Sequence, residues 1–316
     1  MIQVDLITGF LGSGKTTFMK LYAKKLMEAG LNIGILLNDY GAVNVDRMLL
    51  SDLTGRKCDL EMVAGGCDAD CHRRRFKTKL ISMGMLGYDR VLIEPSGIFD
   101  MDEFFDVLTE EPLDRWYQPG NVIAIVEAGL SDSLSETSDY FLASQIAHAG
   151  MVVFSKVQEA APEEILSTAV HLNRALQRVQ CHRTFQDMEI LQKNWEDFTD
   201  EDWDAVISCG YKTESYVKLS VSKENTFSTL YYMNVHKKLP QLTALLKEMM
   251  SDPACGGIVR IKGFLPDQEG GFYEVNVTRD KIRIHHVETG QEIFIVIGEN
   301  LNQDIIDRYW DMSDSV

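Results

Sequence analysis

Short runs of Val, Ile and Leu punctuate the first half of the chain at Val4–Thr8, Ile33–Asn38, Arg90–Glu94, Val122–Val126 and Met151–Phe154. Each is continuous rather than alternating, the pattern of a strand covered on both faces. Between them lie stretches with helical spacing. Thr16–Ala29 carries apolar residues at helical intervals and stops before Gly30, and Pro162 stands at the first turn of a helix reaching about Val179. Strands that alternate with helices imply a mostly parallel sheet, so the first half reads as α/β.

The pattern changes near residue 210. The acidic segment Trp195–Asp204 holds Thr199 followed three residues later by Asp202, a helix-start signal. Beyond Gly210, strand-like runs at Val217–Val221, Phe227–Met233, Ile258–Phe264, Phe272–Val277, Lys281–Val287 and Glu292–Ile297 succeed one another. A helix-like Leu239–Met250 interrupts them and Leu301–Trp310 closes the series. Strand after strand marks an antiparallel sheet. The expected organisation is a P-loop-type parallel sheet domain over 1–210 and a smaller α+β domain over 211–316, with no internal repeat.

Composition adds exclusions. A chain of 316 residues, 45% hydrophobic and 25% charged, is long enough for two packed cores. Its longest apolar runs, such as Val122–Val126 and Ile293–Ile297, fall far short of the roughly 20 residues a membrane-spanning helix needs. Met1 leads directly into a strand-like segment without a basic leader or cleavage site, so a cytoplasmic protein with no membrane partner is expected. The formal charge of -17 opposes DNA, RNA and anionic membranes, and nucleic acid is not an expected partner. Six cysteines in this length make no disulfide scaffold. Cys58, Cys181, Cys209 and Cys255 stand apart and read as inert; Cys67 and Cys71 are close enough to act together.

The strongest motif is Gly9-Phe10-Leu11-Gly12-Ser13-Gly14-Lys15-Thr16, which fits G-x-x-x-x-G-K-[ST] between a strand and a helix. Glycines let the backbone curl so that its N–H groups face phosphates, and the helix N-terminus adds positive potential. Lys15 then neutralises β and γ oxygens, and Thr16 offers its hydroxyl to Mg²⁺. Arg90–Glu94 ends in a carboxylate at the edge of the sheet where ligands gather. Glu94 is a candidate for holding a Mg²⁺ water and Gly97 for presenting its N–H to a γ-phosphate, although a plain strand end has the same pattern.

These residues, extended through Thr17, resemble the phosphate loop of CobW-like GTPases, relatives of the hydrogenase- and urease-maturation nickel GTPases. Asn38-Asp39-Tyr40-Gly41 with Asp46 resembles that family's Asn-Glu-Phe-Gly…Asp switch segment, and Glu94-Pro95-Ser96-Gly97 its Glu-x-x-Gly motif. Ser155-Lys156-Val157-Gln158 resembles the guanine-reading Asn-Lys-x-Asp, and Arg260–Phe264 the opening of the C-terminal domain. The resemblance implies a GTPase that delivers zinc or cobalt, or loads a metal-containing cofactor, into a client protein. The chain departs from the family at two places. Ser155 and Gln158 replace Asn and Asp, and Gly66-Cys67-Asp68-Ala69-Asp70-Cys71-His72 stands where the family has Gly-Cys-x-Cys-Cys.

Thiolates and imidazole are good zinc ligands, so Cys67, Cys71 and His72, with Asp70 as an oxygen donor, form a candidate Zn²⁺ or Co²⁺ site. The competing reading packs both cysteines as small residues. Arg73–Arg75 reads as a solvated first helical turn or as a contact for an anion or acidic partner. His285 and His286, neighbours on a strand, face opposite ways and are not expected to chelate together; His148, His171, His182 and His236 read as ordinary packed or surface residues.

The expected function is Mg²⁺-dependent GTP hydrolysis as a nucleotide switch, with Lys15, Thr16 and Glu94 at the chemistry and Asn38, Asp39 and Asp46 as switch contacts. Gly9, Gly12, Ser13, Gly14, Lys15, Thr16, Thr17, Gly97, Ser155, Lys156 and Gln158 would hold the nucleotide. A client metalloprotein or cofactor-dependent enzyme is the expected partner. Two alternatives stay open: a metal-free, nucleotide-gated chaperone or reactivase of a corrinoid or other metalloenzyme, and a small-molecule kinase built on the same loop.

Overall fold

The computed structural model describes residues 1–39, 49–55, 57–64, 69–95, 101–218, 227–235, 237–268, 270–278 and 281–311. The chain divides into two compact units, Met1–Leu219 and Ser220–Val316.

The first unit is built on a seven-stranded sheet. Its strands are β1 (Ile2–Thr8), β2 (Ile33–Asp39), β3 (Cys58–Ala64), β4 (Arg90–Pro95), β5 (Tyr117–Glu127), β6 (Met151–Ser155) and β7 (Ile190–Leu191). They lie in the order β3-β2-β4-β1-β5-β6-β7, and every recorded pairing is parallel. Helices α1 (Lys15–Glu28), α2 (Ala69–Gly84), α3 (Met101–Leu108), α4 (Glu136–Ala147), α5 (Pro162–Arg178) and α6 (Asp200–Ile207) connect or follow the strands. The α/β class expected from the periodicity is the one observed. β3 and β7 were not among the expected strands. β3 is an edge strand whose apolar residues are broken by Asp59 and Glu61, and β7 has two residues at the opposite edge.

One core lies between α1 and the sheet: Ile7, Phe18, Tyr22, Leu26, Ile35, Leu92, Ile125 and Val153 are all buried there. Each such side chain contributes about 1.5–3 kcal/mol of transfer free energy, which fixes α1 against β1 and so fixes the loop between them. A polar network crosses the sheet beside that core. Asp5, fully buried on β1, accepts from Tyr22 Oη at 2.7 Å, Arg90 at 2.7 Å and the Asn121 amide at 2.8 Å. Burial pushes the Asp5 carboxyl upward, opposed by the Arg90 charge. Asn121 reaches onward, donating through Nδ2 to Ile207 O at 2.6 Å and accepting from Gly210 N at 2.8 Å.

Those bonds extend the first unit past the expected boundary at 210. Val122 N donates to Gly210 O at 2.9 Å, Lys212 N to His148 O at 2.9 Å and Val217 N to Val179 O at 2.8 Å. The strand expected over Val217–Val221 is not formed in its described part: Val217 and Lys218 are irregular backbone of the first unit, and the remainder lies outside the described residues.

The second unit holds a five-stranded antiparallel sheet ordered β11-β10-β9-β12-β8. Its strands are β8 (Phe227–Met233), β9 (Gly257–Pro266), β10 (Phe272–Thr278), β11 (Ile282–Val287) and β12 (Ile293–Glu299). Helices α7 (Leu239–Ser251) and α8 (Gln303–Asp311) supply Leu242, Leu246, Ile306 and Trp310 to a core with Ile261, Val275, Phe294 and Val296. This is the expected α+β pattern, and the inner strands β9 and β12 are buried along most of their length.

Candidate functional site

β1 sits between β4 and β5, so the loop leaving its carboxyl end emerges inside the sheet, where open α/β folds place their ligands. That loop is Gly9–Gly14. Gly9 has a φ of 136° and a Cβ there would collide with the Ile125 carbonyl oxygen of β5. Gly14, at φ 98°, is the N-cap of α1 and no side chain caps the helix. The first turn of α1 carries no acidic residue, leaving its backbone N–H groups and positive end facing the loop.

Lys15 is buried and folds back over this curve, Nζ donating to Gly9 O at 3.0 Å and Phe10 O at 3.4 Å. Thr16 Oγ1 donates to Glu94 Oε1 at 2.9 Å. Both are buried, and the pair sets two hard oxygen donors side by side at the ends of α1 and β4. Ser13 Oγ is buried in the same loop with no hydrogen-bond partner among the described residues. Curled backbone, helix terminus, Lys15, an orphaned hydroxyl and paired oxygens fit a phosphate chain with its Mg²⁺.

Lys156, directly after β6, adopts a left-handed conformation with φ 57°. Its Nζ donates to Gly12 O at 3.2 Å and pairs with Glu127 at 2.7 Å, so it lies against the phosphate loop. Ser155 is buried, its hydroxyl donating to Val126 O at 3.4 Å; Gln158 is exposed in the turn that follows. Trp195 adds a wall: its indole donates to Phe154 O at 2.9 Å, and Gly14 lies against its ring edge.

Two contributors were not singled out from the sequence. Gln145 on α4 is fully buried and accepts from Gly9 N at 3.3 Å and from Thr8 Oγ1, fastening the start of the loop. Nothing in its surroundings in sequence marks it. Glu127 ends the apolar run Val122–Val126 in a carboxylate, the same signal that pointed to Glu94.

Among the metal-loop candidates, Asp70, Cys71 and His72 lie in the first turn of α2. Asp70 is exposed, Cys71 half-buried, and His72 fully buried with Nε2 donating to Asn38 Oδ1 at 2.7 Å. Residues adjacent on a helix point about 100° apart, so Cys71 and His72 do not face one another. No cluster of three or more His, Cys, Asp or Glu with metal-holding geometry occurs among the described residues. Cys67, Asp46 and Gly97 lie outside the described residues, and Asp39 closes β2.

Arg73 and Lys77 both pair with Glu110 at 2.6 Å, while Arg74 and Arg75 are exposed. His285 and His286 are exposed on β11. His171 is buried between Asp139 and Asp132, at 2.6 and 3.4 Å. No helix of the described residues is long and apolar enough to cross a membrane.

The chain is 31% identical over 165 residues to the zinc chaperone YeiR and 28% identical over 173 residues to the zinc chaperone YjiA, both of Escherichia coli K12. Each match takes in 52% of this chain and spans about half the length of the relative, 49% and 52%. A crystal structure of Zn(II)-bound YjiA GTPase from E. coli aligns over 98% of both chains at 18% identity with a TM-score of 0.34. The family model described as CobW/HypB/UreG, nucleotide-binding domain, matches residues 3–186, more than half of the chain and the stretch that holds the phosphate loop, Glu94 and Lys156, and the protein therefore belongs to the CobW/HypB/UreG family.

Proposed function

We propose that the protein is a Mg²⁺-dependent GTP hydrolase that serves as a nucleotide switch, delivering a metal ion or inserting a metallo-cofactor into a client protein in the cytoplasm. The observation that carries the proposal is the Thr16–Glu94 pair beside Lys15, at the N-terminus of α1. Family membership and the printed functions of YeiR and YjiA as zinc chaperones support it.

The Thr16 hydroxyl and Glu94 would hold Mg²⁺, which when bound would supply charge neutralisation to the phosphates. Lys15 leaves its loop carbonyls to meet the phosphate oxygens. The amides of the curled loop orient the phosphate chain, and Lys156, braced by Glu127, borders the nucleoside. Lys15→Ala tests this reading: the variant folds, because Lys15 serves the loop rather than the core, but loses hydrolysis and most nucleotide affinity. Hydrolysis equal to that of the unmodified protein would remove the assignment.

The cargo is the less constrained part. Zn²⁺ or Co²⁺ at Cys67 and Cys71 is supported by donor chemistry, and zinc also by the printed names of the zinc-chaperone relatives. A metal-free, nucleotide-gated chaperone is favoured by one observation: His72 is directed to Asn38. Zn²⁺ titration into nucleotide-free, GDP-bound and GTP-analogue-bound protein, beside a Cys67→Ser/Cys71→Ser variant, separates the two. Binding abolished in the variant and changed by nucleotide supports metal delivery; no binding in any state leaves the metal-free reading.

A further inference from the structure

Asp102 makes two contacts at once from the first turn of α3, the helix that follows Glu94–Pro95 in the chain. Its Oδ1 accepts from His148 Nε2 at 3.1 Å, and its Oδ2 pairs with Lys218 Nζ at 2.8 Å. His148, buried at the C-cap of α4, is tied to the same stretch: its Nδ1 lies 3.1 Å from Lys212 O, and its own carbonyl accepts from Lys212 N at 2.9 Å. Phe105, on the same face of α3 as Asp102, sets its ring edge-on to His148 at 5.2 Å and against Tyr211 at 5.5 Å. Tyr216 meets the His148 ring at 6.1 Å.

The segment from Tyr211 to Lys218 is the last described stretch of the first unit before the chain enters the second. It is therefore held by α3 and His148 together, and α3 is joined through residues 96–100 to the strand end that bears Glu94. Switches of this kind respond to nucleotide at such strand ends, and transmission needs an element that both ends can bias. Asp102 has the required bifunctional geometry: one oxygen on the body of the domain through His148, the other on the outgoing segment through Lys218.

We propose that Asp102 is the positioning residue that passes nucleotide state from the Glu94 strand end to Tyr211–Lys218, and so to the second unit. The inference rests on the nucleotide reading of the Gly9–Thr16 loop. Linkage makes the coupling reciprocal: whatever clamps the outgoing segment must also alter preference between di- and triphosphate.

Hydrogen exchange on the full chain, with GDP or a non-hydrolysable GTP analogue and Mg²⁺, reads this directly, because the Lys212 and Val217 amides report on the segment. Nucleotide binding is measured on the same samples. The unmodified protein is expected to show a difference of about two- to fivefold in exchange over 211–218 between the two nucleotides, the scale one exposed ion pair can set. Asp102→Ala is expected to erase the difference and, by the same linkage, to change the ratio of GDP to GTP-analogue affinity by about the same factor while both nucleotides still bind. Lys218→Gln, which touches only the exposed end of the clamp, is expected to shrink it and serves if Asp102→Ala does not fold. Bound nucleotide with equal exchange over 211–218, or a difference that survives both substitutions, overturns the proposal. Failure to bind either nucleotide overturns the underlying nucleotide reading and this inference with it, and the binding measurement shows that outcome separately.

Discussion

Thr16 Oγ1 donates to Glu94 Oε1 at 2.9 Å, joining the first turn of α1 to the end of β4 across 78 positions of sequence. The contact places the two oxygen donors of the proposed Mg²⁺ site on separate rigid elements of one sheet. Glu94→Gln keeps the shape and removes the charge. Outer-shell carboxylates of this kind are worth about 10- to 100-fold in metal affinity or activity. Hydrolysis followed against Mg²⁺ concentration is expected to need that much more Mg²⁺ in the variant; an unchanged half-saturation point removes Glu94 from the site.

Base choice should be relaxed. A carboxylate at position 158 would accept two N–H bonds from guanine, whereas the exposed Gln158 is neutral and offers one carbonyl. A charge-assisted bond is worth about 1.5–3 kcal/mol, so GTP preference over ATP is expected to rise roughly 10- to 100-fold in Gln158→Asp. Competition binding of the two nucleotides measures it. Equal discrimination by both proteins shows that the base is read elsewhere.

The start of α6 gives a stability test. Thr199 Oγ1 accepts from Asp202 N, and the Asp202 carboxylate accepts from Thr199 N at 2.7 Å, so both orphan donors are satisfied. Thr199→Ala is expected to cost about 1 kcal/mol. Lys193 first, and the Thr199 amide next, hold the Asp202 carboxyl below its ordinary value of 3.8. Its folded value lies below its unfolded one, so its contribution is present above about pH 4 and fades as pH falls through the folded value. Unfolding of Asp202→Asn should differ from that of the unmodified protein at pH 7 and converge with it in acid, below the folded value. A gap that persists in acid would rule out the ionised side chain as its source.

Thiol chemistry should be confined. Burial pushes Cys58 and Cys255 up to about 11 and Cys209 up to about 12. A thiol three units above ambient pH is thiolate on the order of one part in a thousand, and the thiolate is the nucleophile. Iodoacetamide at pH 8 is expected to spare these three in the native protein and label them in urea, with the half-buried Cys71 modified ahead of them. Peptide mass mapping decides, and rapid native labelling of Cys209 would contradict its packed surroundings.

The parts of the site that were legible in the sequence are those written in contiguous residues. A phosphate loop is a local conformation, so the candidate Gly9–Thr16 can be picked out from contiguous residues, and a carboxylate ending an apolar run marks Glu94 as a candidate. Position across the sheet is not local. Gln145 touches Gly9 from 136 positions away on a helix interior, where its neighbours carry no pattern. His72 looked like a companion of Cys71 because they adjoin, but α2 begins before them and its twist directs His72 to Asn38. The second sheet was legible nearly strand by strand, since each strand is an apolar-rich run closed by turn residues. β3 was not, because an edge strand mixes Asp59 and Glu61 into its apolar run.

The reach of Asn121 sets how the protein can be cut. Its side chain holds Ile207 and Gly210 to β5, and Trp203 and Val206 of α6 pack on the core around Phe18. A fragment ended at residue 186, where the family match stops, would keep the phosphate loop yet strip this covering. It would bare an apolar face, take Gly210 N from Asn121 Oδ1 and leave Asn121 Nδ2 with Tyr22 Oη alone. The nucleotide domain thus closes only when distant residues return to its first strands. Its folding is expected to be late and all-or-none, and a minimal fragment of the nucleotide domain that stays in solution should extend to about Leu219.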